Sequence, residues 1–170
     1  LPLGEMGAPP ANRAGHGRAN PAGIPYLYLG STATTAVAEV RPHTGERVCL
    51  ATFHVTPIHA VDLRNPRKSI SPFILENAEQ VAKLRSGLPL LERLGEELTK
   101  PVQSSSAAFE YIPSQYLCEF IKTCGYQGVI YRSSVSDGVN LALFFPELAS
   151  PEDVKVIRVD RVTVSISTAP

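Results

Sequence analysis

The chain has no tryptophan, no surplus of either charge and no apolar run long enough to cross a bilayer. Each shortage removes a class of function. Its 16 Lys and Arg balance 16 Asp and Glu, so the basic surface that tracks a phosphate backbone is missing and nucleic acid is not an expected partner. A membrane span needs about 20 consecutive apolar residues, and no charged-then-apolar signal segment opens the chain. The 3 cysteines, Cys49, Cys118 and Cys124, are odd in number and fall where strands or helices are expected. Packed, reduced thiols in a cytosolic setting follow from that.

At 170 residues the expectation is one domain that buries a core without disulfides or a structural metal. The first stretch, LPLGEMGAPPANRAGHGRAN, is too rich in Gly, Pro and Ala to fold alone. A processed piece lacking an upstream strand or partner domain is the expected origin of a chain that opens on Leu1. Beyond it, 24–29 has β-formers, Ser31 is an N-cap candidate, and 34–40 is compatible with a helix until Pro42 forbids continuation. Strands are predicted over 47–55 and 58–63, separated by Pro57. Residues 64–106 form a helical insertion in which Phe73, Ile74, Val81, Leu84, Leu91, Leu94 and Leu98 recur at helical spacing. Gly87 and Pro89 should split it in two, with a loop after Lys100. A helix over 113–123, with Leu117, Phe120 and Ile121 on one face, ends at Gly125. Strands then fill 127–131 and 140–145 around a Ser136-Asp137-Gly138 turn, and 154–166 holds two more around Asp160. Helices and strands do not alternate as a doubly wound sheet demands. The fold class is α+β, with a split, mostly antiparallel sheet and flanking helices.

Three polar residues are spread over the first loop, strand and helix: Arg18, Tyr28 and Glu39. Arg18 and Asn20 lie in a Gly- and Pro-rich loop, where a guanidinium suits a pyrophosphate. Tyr26 and Tyr28 alternate on one strand face, where a ring can stack on a flat heterocycle. Glu39 sits in the last helical turn, where a carboxylate opposes the dipole by about 0.3–1 kcal/mol, among Ala36, Val37, Ala38 and Val40. It is either an acceptor for a ribose hydroxyl and a stabiliser of a sugar cation, or the partner of Arg41 or Arg47. Ser133 and Ser134 end a strand before Asn140, without the pattern of a nucleophilic serine. His54 and His59 lack a third ligand at metal spacing, so no metal site is expected.

The passages GRANPAGIPYLYLG, TTAVAEVRP and GYQGVIYRSSVSDGVNLALFFP, in this order across residues 13–146, resemble the RES domain, a bacterial family named for its Arg, Glu and Ser. The resemblance implies a fold similar to ADP-ribosyltransferase toxins, with NAD in a cleft between the halves of a split sheet. It implies a toxin that consumes NAD by hydrolysis or phosphorolysis at the nicotinamide bond. Transfer of ADP-ribose to a protein, or NAD binding without turnover, are the alternatives. Carried over, Arg18 binds the NAD phosphates, Tyr28 packs on the nicotinamide side, Glu39 holds the nicotinamide ribose and Ser133 shapes the site, with Tyr26, Asn20, Ser134 and Asn140 lining it. The resemblance also implies a cognate antitoxin or immunity protein over the pocket, raises a homodimer, and places the action in a bacterial cytoplasm, at home or after delivery. The chain departs from many relatives at Ala19, where they carry tryptophan, and at Arg132, where they carry proline.

Overall fold

A computed structural model describes residues 2–69, 75–100, 102 and 107–163. The first strand, β1, spans Leu27–Gly30. It begins later than the β-formers suggest, after Pro25, whose missing N–H cannot join a ladder. Helix α1, Ala33–Glu39, is capped by Thr32, whose side chain accepts from the Thr35 amide. Ser31 is otherwise engaged. Its amide donates to the Val139 carbonyl and its hydroxyl accepts from the Val139 amide, which lengthens the sheet by one step.

Strands β2 (Arg47–Val55) and β3 (Ala60–Asp62) follow, then a one-turn helix α2 (Pro66–Ser69). Helix α3 runs unbroken over Ala78–Thr99 with Pro89 inside it, where two helices were expected. Pro89 and Arg85, whose carbonyl would have accepted the missing bond, are both exposed, so water can serve that carbonyl and the break is not enforced. The apolar positions Phe73 and Ile74 and the loop residues 103–106 lie outside the described residues. A short α4 (Ala107–Glu110) leads into α5, Ile112–Thr123. Gly125, at φ 89°, ends α5 in the left-handed conformation that glycine adopts without a Cβ penalty.

Strands β4 (Gly128–Arg132) and β5 (Val139–Leu143) are joined by the serine-rich turn, and β6 covers Ala149–Arg158. The tail is thus one strand up to Arg158, and positions 164–166 lie outside the described residues. The main sheet has the order β1-β5-β4-β3, antiparallel except for β3 beside β4. β2 and β6 form a separate antiparallel ribbon with an irregular register between Thr52 and Phe53. The split, mostly antiparallel α+β architecture is as expected.

Strand alternation decides what each sheet face does. Register places Tyr28, Ala142 and Val129 side by side on one face, followed one step along by Asn140 and Tyr131. This face packs on α3 and α5 through Leu94, Leu98, Cys118 and Ile121, with Ala142, Val129 and Phe144 below them. Each enclosed leucine contributes about 1.5–3 kcal/mol. Phe120, expected on the inner face of α5, is more than half exposed. The inner positions belong to Ser114, Gln115, Cys118 and Ile121, because the two polar residues at their head anchor the arginine loop.

Burial pushes the Cys118 thiol up to about 12, with the Glu119 carboxylate adding to the effect. The Tyr26 and Tyr131 hydroxyls are raised too, first by burial. An unfolded chain releases these protons at about pH 8.5–10 while the folded chain keeps them. Stability present below that range is therefore lost as pH climbs towards 12, by up to about 1.4 kcal/mol per pH unit for Cys118 alone. Urea unfolding midpoints measured from neutral pH to about pH 10 should fall; a midpoint that rises would contradict the assignment.

Candidate active site

Glu39 ends α1, and its Oε1 accepts from two donors, the Asn140 amide (2.6 Å) and the Ser133 hydroxyl (2.7 Å). Ser133 Oγ itself accepts from the Val135 and Ser136 amides, each at 3.1 Å. Those two bonds occupy the oxygen and aim its proton at the carboxylate. Ser133 is therefore a positioning group, with no proton or lone pair left for nucleophilic attack. Oε2 of Glu39 makes no hydrogen bond among the described residues and remains an open acceptor. No Lys, Arg or His pairs with Glu39 among them either; the expected alternative, an ion pair with Arg41 or Arg47, does not form.

Ser134, one residue along, turns to the other charge. Its Oγ accepts from Arg18 Nη2 (3.1 Å), while Nη1 donates to the Lys100 carbonyl (2.6 Å) at the end of α3. A guanidinium at a helix C-terminus is favoured by the dipole. Its carbon lies 5.4 Å from the Tyr111 ring centre, a cation–π distance. The loop is tied down from α5, where Ser114 Oγ donates to the Arg18 carbonyl (2.6 Å) and Gln115 Nε2 to that of Gly17 (2.8 Å). Arg18 meets no carboxylate among the described residues.

Asn20 is buried and wholly consumed by its own loop. Its Nδ2 donates to the Gly15, Pro21 and Ile24 carbonyls, and its Oδ1 accepts from the Tyr28 hydroxyl (2.6 Å). The Ala19 amide donates to that same hydroxyl (3.0 Å). Burial raises the Tyr28 hydroxyl's pKa, partly opposed by the Ala19 bond. The Tyr28 residue nonetheless leaves 39% of its surface exposed: the oxygen is enclosed and part of the ring is open. Gly17 is indispensable to this arrangement, since a Cβ there would run into Asn20 Oδ1 and the Tyr28 oxygen.

Of the residues expected at the site, Arg18, Tyr28, Glu39, Ser133, Ser134 and Asn140 form one connected cluster, with Asn20 behind it. Tyr26 does not join. It is 2% exposed, bonded to Glu119, packed on Phe144 and lies beneath Lys122. One further side chain is present that was expected only as part of a buried strand. Tyr131 pairs in register with Asn140, and the charges that act on its hydroxyl include that of Glu39, which raises its pKa, and that of Arg18, which lowers it. Its i, i+2 relation to Ser133 is the signal that marks it.

Two hollows border the cluster. One of about 750 Å³ lies on the opposite sheet face, between Leu29, Ile130 and Leu141 and the ribbon residues Val48 and Leu50; Tyr28 and Asn140 reach its edge. The other, about 480 Å³, lies beyond Ser133 with Arg64, Arg132 and Asp137 on its walls. Arg18 and Glu39 line neither. The larger hollow is mostly apolar and carries little to direct chemistry; Glu39 and Arg18, without a partner of opposite charge among the described residues, mark the candidate site.

The family model described as RES domain matches residues 4–165. The chain belongs to the RES domain family. No curated protein and no solved structure matches it. RES domains are associated with NAD-related enzymatic activity, and membership supports a NAD-related, toxin-like role for this one. Among the described residues of this RES domain, no helix is long and apolar enough to cross a membrane.

Proposed function

We propose that this RES domain cleaves the bond between nicotinamide and ribose in NAD and so depletes the cofactor in a bacterial cell. One observation carries the reading. Among the described residues, an arginine without a carboxylate and a glutamate without a cation flank the consecutive residues Ser133 and Ser134. Two uncompensated opposite charges that close together suit a ligand carrying both signs in reverse order. NAD is such a ligand, with an anionic diphosphate and a cationic nicotinamide.

The chemistry asks little more of the protein. The bond from ribose C1′ to the pyridinium nitrogen breaks with both electrons going to nitrogen, so nicotinamide leaves neutral and needs no general acid. Positive charge moves onto the ribose, where Glu39, held by Ser133 and Asn140, stabilises it through Oε2. A water or phosphate oxygen then bonds to C1′, and water loses its proton to solvent. Arg18 holds the diphosphate and the exposed Tyr28 ring walls the nicotinamide side. A producing cell must restrain such an enzyme, and a cognate inhibitor protein over the site fits that need.

The test is the fate of NAD with the purified chain, with and without phosphate, by separation of products. Nicotinamide should appear, with ADP-ribose in water and its 1″-phosphate when phosphate attacks. Intact NAD under both conditions, together with no transfer of ADP-ribose to protein in a cell lysate, would overturn the proposal.

A further inference from the structure

Tyr131 is 3% exposed, and its hydroxyl makes no hydrogen bond among the described residues. An enclosed hydroxyl without a partner is costly, so folded chains seldom keep one. Yet among the described residues no fully enclosed side-chain nitrogen or oxygen goes unpartnered. The Tyr131 oxygen, unpartnered among the described residues, is therefore not completely enclosed and keeps some of the side chain's small exposed surface.

The surroundings say what that oxygen meets. Tyr131 pairs with Asn140, the residue that holds Glu39, and shares its face with Ser133 two positions on. The Tyr28 oxygen is already taken by Asn20 and Ala19, and Glu39 Oε1 by Ser133 and Asn140. Two opposite formal charges act on the Tyr131 oxygen, the Glu39 carboxylate more strongly and the Arg18 guanidinium. A phenol in this setting stays protonated and is a donor in search of an acceptor. The charge that favours an acceptor there is the guanidinium, which gathers anionic oxygens.

We infer that Tyr131 is a ligand-contacting residue whose hydroxyl donates to an anionic oxygen of the bound dinucleotide beside Arg18. The inference rests on the NAD reading for the dinucleotide, but its core, a hydroxyl kept for a ligand and not for the fold, can be tested apart from turnover.

Tyr131→Phe removes only the oxygen. The melting temperature should stay level or rise, because nothing inside the protein loses a partner. Affinities for ADP-ribose and for inorganic pyrophosphate, measured by titration calorimetry, should fall about 10- to 100-fold, the loss expected for one bond to a charged group. KM for NAD should rise in step while kcat changes less than about threefold. A drop in melting temperature would mean that the oxygen serves the fold, and would overturn the inference. Unchanged affinity for both probes would do the same, as would a wild-type chain that binds neither. If the wild type binds the probes, the variant weakens them and neither turns over NAD, the inference stands and the proposed cleavage fails.

Discussion

Glu39→Gln should lower the rate of nicotinamide release by about 10²–10³-fold and leave NAD affinity within a few-fold of wild type. Glutamine keeps the length of the side chain, and its carbonyl can still accept from Ser133 and Asn140. What changes is the other terminal atom. Oε2, without a hydrogen bond among the described residues, becomes an NH2 that donates where the proposed reaction needs negative charge. Removing one preorganised electrostatic contact from a transition state costs about 2.7–4 kcal/mol, whereas the ground state, whose positive charge sits on the pyridinium ring, loses less. The effect should therefore fall on kcat, with the unfolding midpoint nearly unchanged. A variant within about threefold of the wild-type rate would remove Glu39 from the mechanism. Ser133→Ala should reproduce part of the loss by a different route, because it leaves the carboxylate underheld.

The second large effect is expected at Arg18, and it should appear in KM. Arg18→Ala removes the cation that would hold the diphosphate, and hydrogen bonds to charged groups are worth about 1.5–3 kcal/mol each. KM for NAD should rise about 100-fold, with a smaller change in kcat. Salt adds a second criterion: wild-type affinity should weaken with ionic strength, as an exposed charge contact does, and that dependence should flatten in the variant. Arg18 also bonds the Lys100 carbonyl and Ser134, so alanine should cost some stability as well. Arg18→Lys keeps the charge but loses the fork that spans two acceptors, and should fall between alanine and wild type. An unchanged KM in both variants would assign Arg18 to the end of α3 alone.

Much of this arrangement could be read from residue order, and the exceptions have local causes. Glu39 was legible because a carboxylate stands at the wrong end of a helix, and Arg18 because a guanidinium in a Gly- and Pro-rich loop suits a pyrophosphate; Ser133's place in the site came with the resemblance to the RES domain. The cluster also settles which serine does what, since Ser133 serves Glu39 and Ser134 serves Arg18. Tyr26 misled because it precedes β1, so the alternation that was to put it beside Tyr28 does not reach it; Tyr26 lies against α5 and Tyr28 against the arginine loop. Tyr131 was hidden beside Val129 and Ile130 in a stretch that signals only burial. The inner face of α5 escaped hydrophobic pattern because Ser114 and Gln115 spend their polarity inward, on the loop carbonyls. Pro89 escaped a rule about proline because its cost falls on the solvent side.

Apart from the Lys100 carbonyl and the Tyr111 ring that steady Arg18, the cluster draws its side chains from two windows, residues 17–39 and 131–140. They meet because β5 is laid between β1 and β4. The ribbon of β2 and β6 supplies none of them. The side chains proposed for the chemistry thus come from two short passages, and the residues between them build the core and tie down the arginine loop. A chain severed in the turn at 43–46 would leave each window on a separate piece, neither able to act alone. Activity would return only when the pieces rebuild the β1–β5 ladder, so the protein would serve as its own reporter of reassembly.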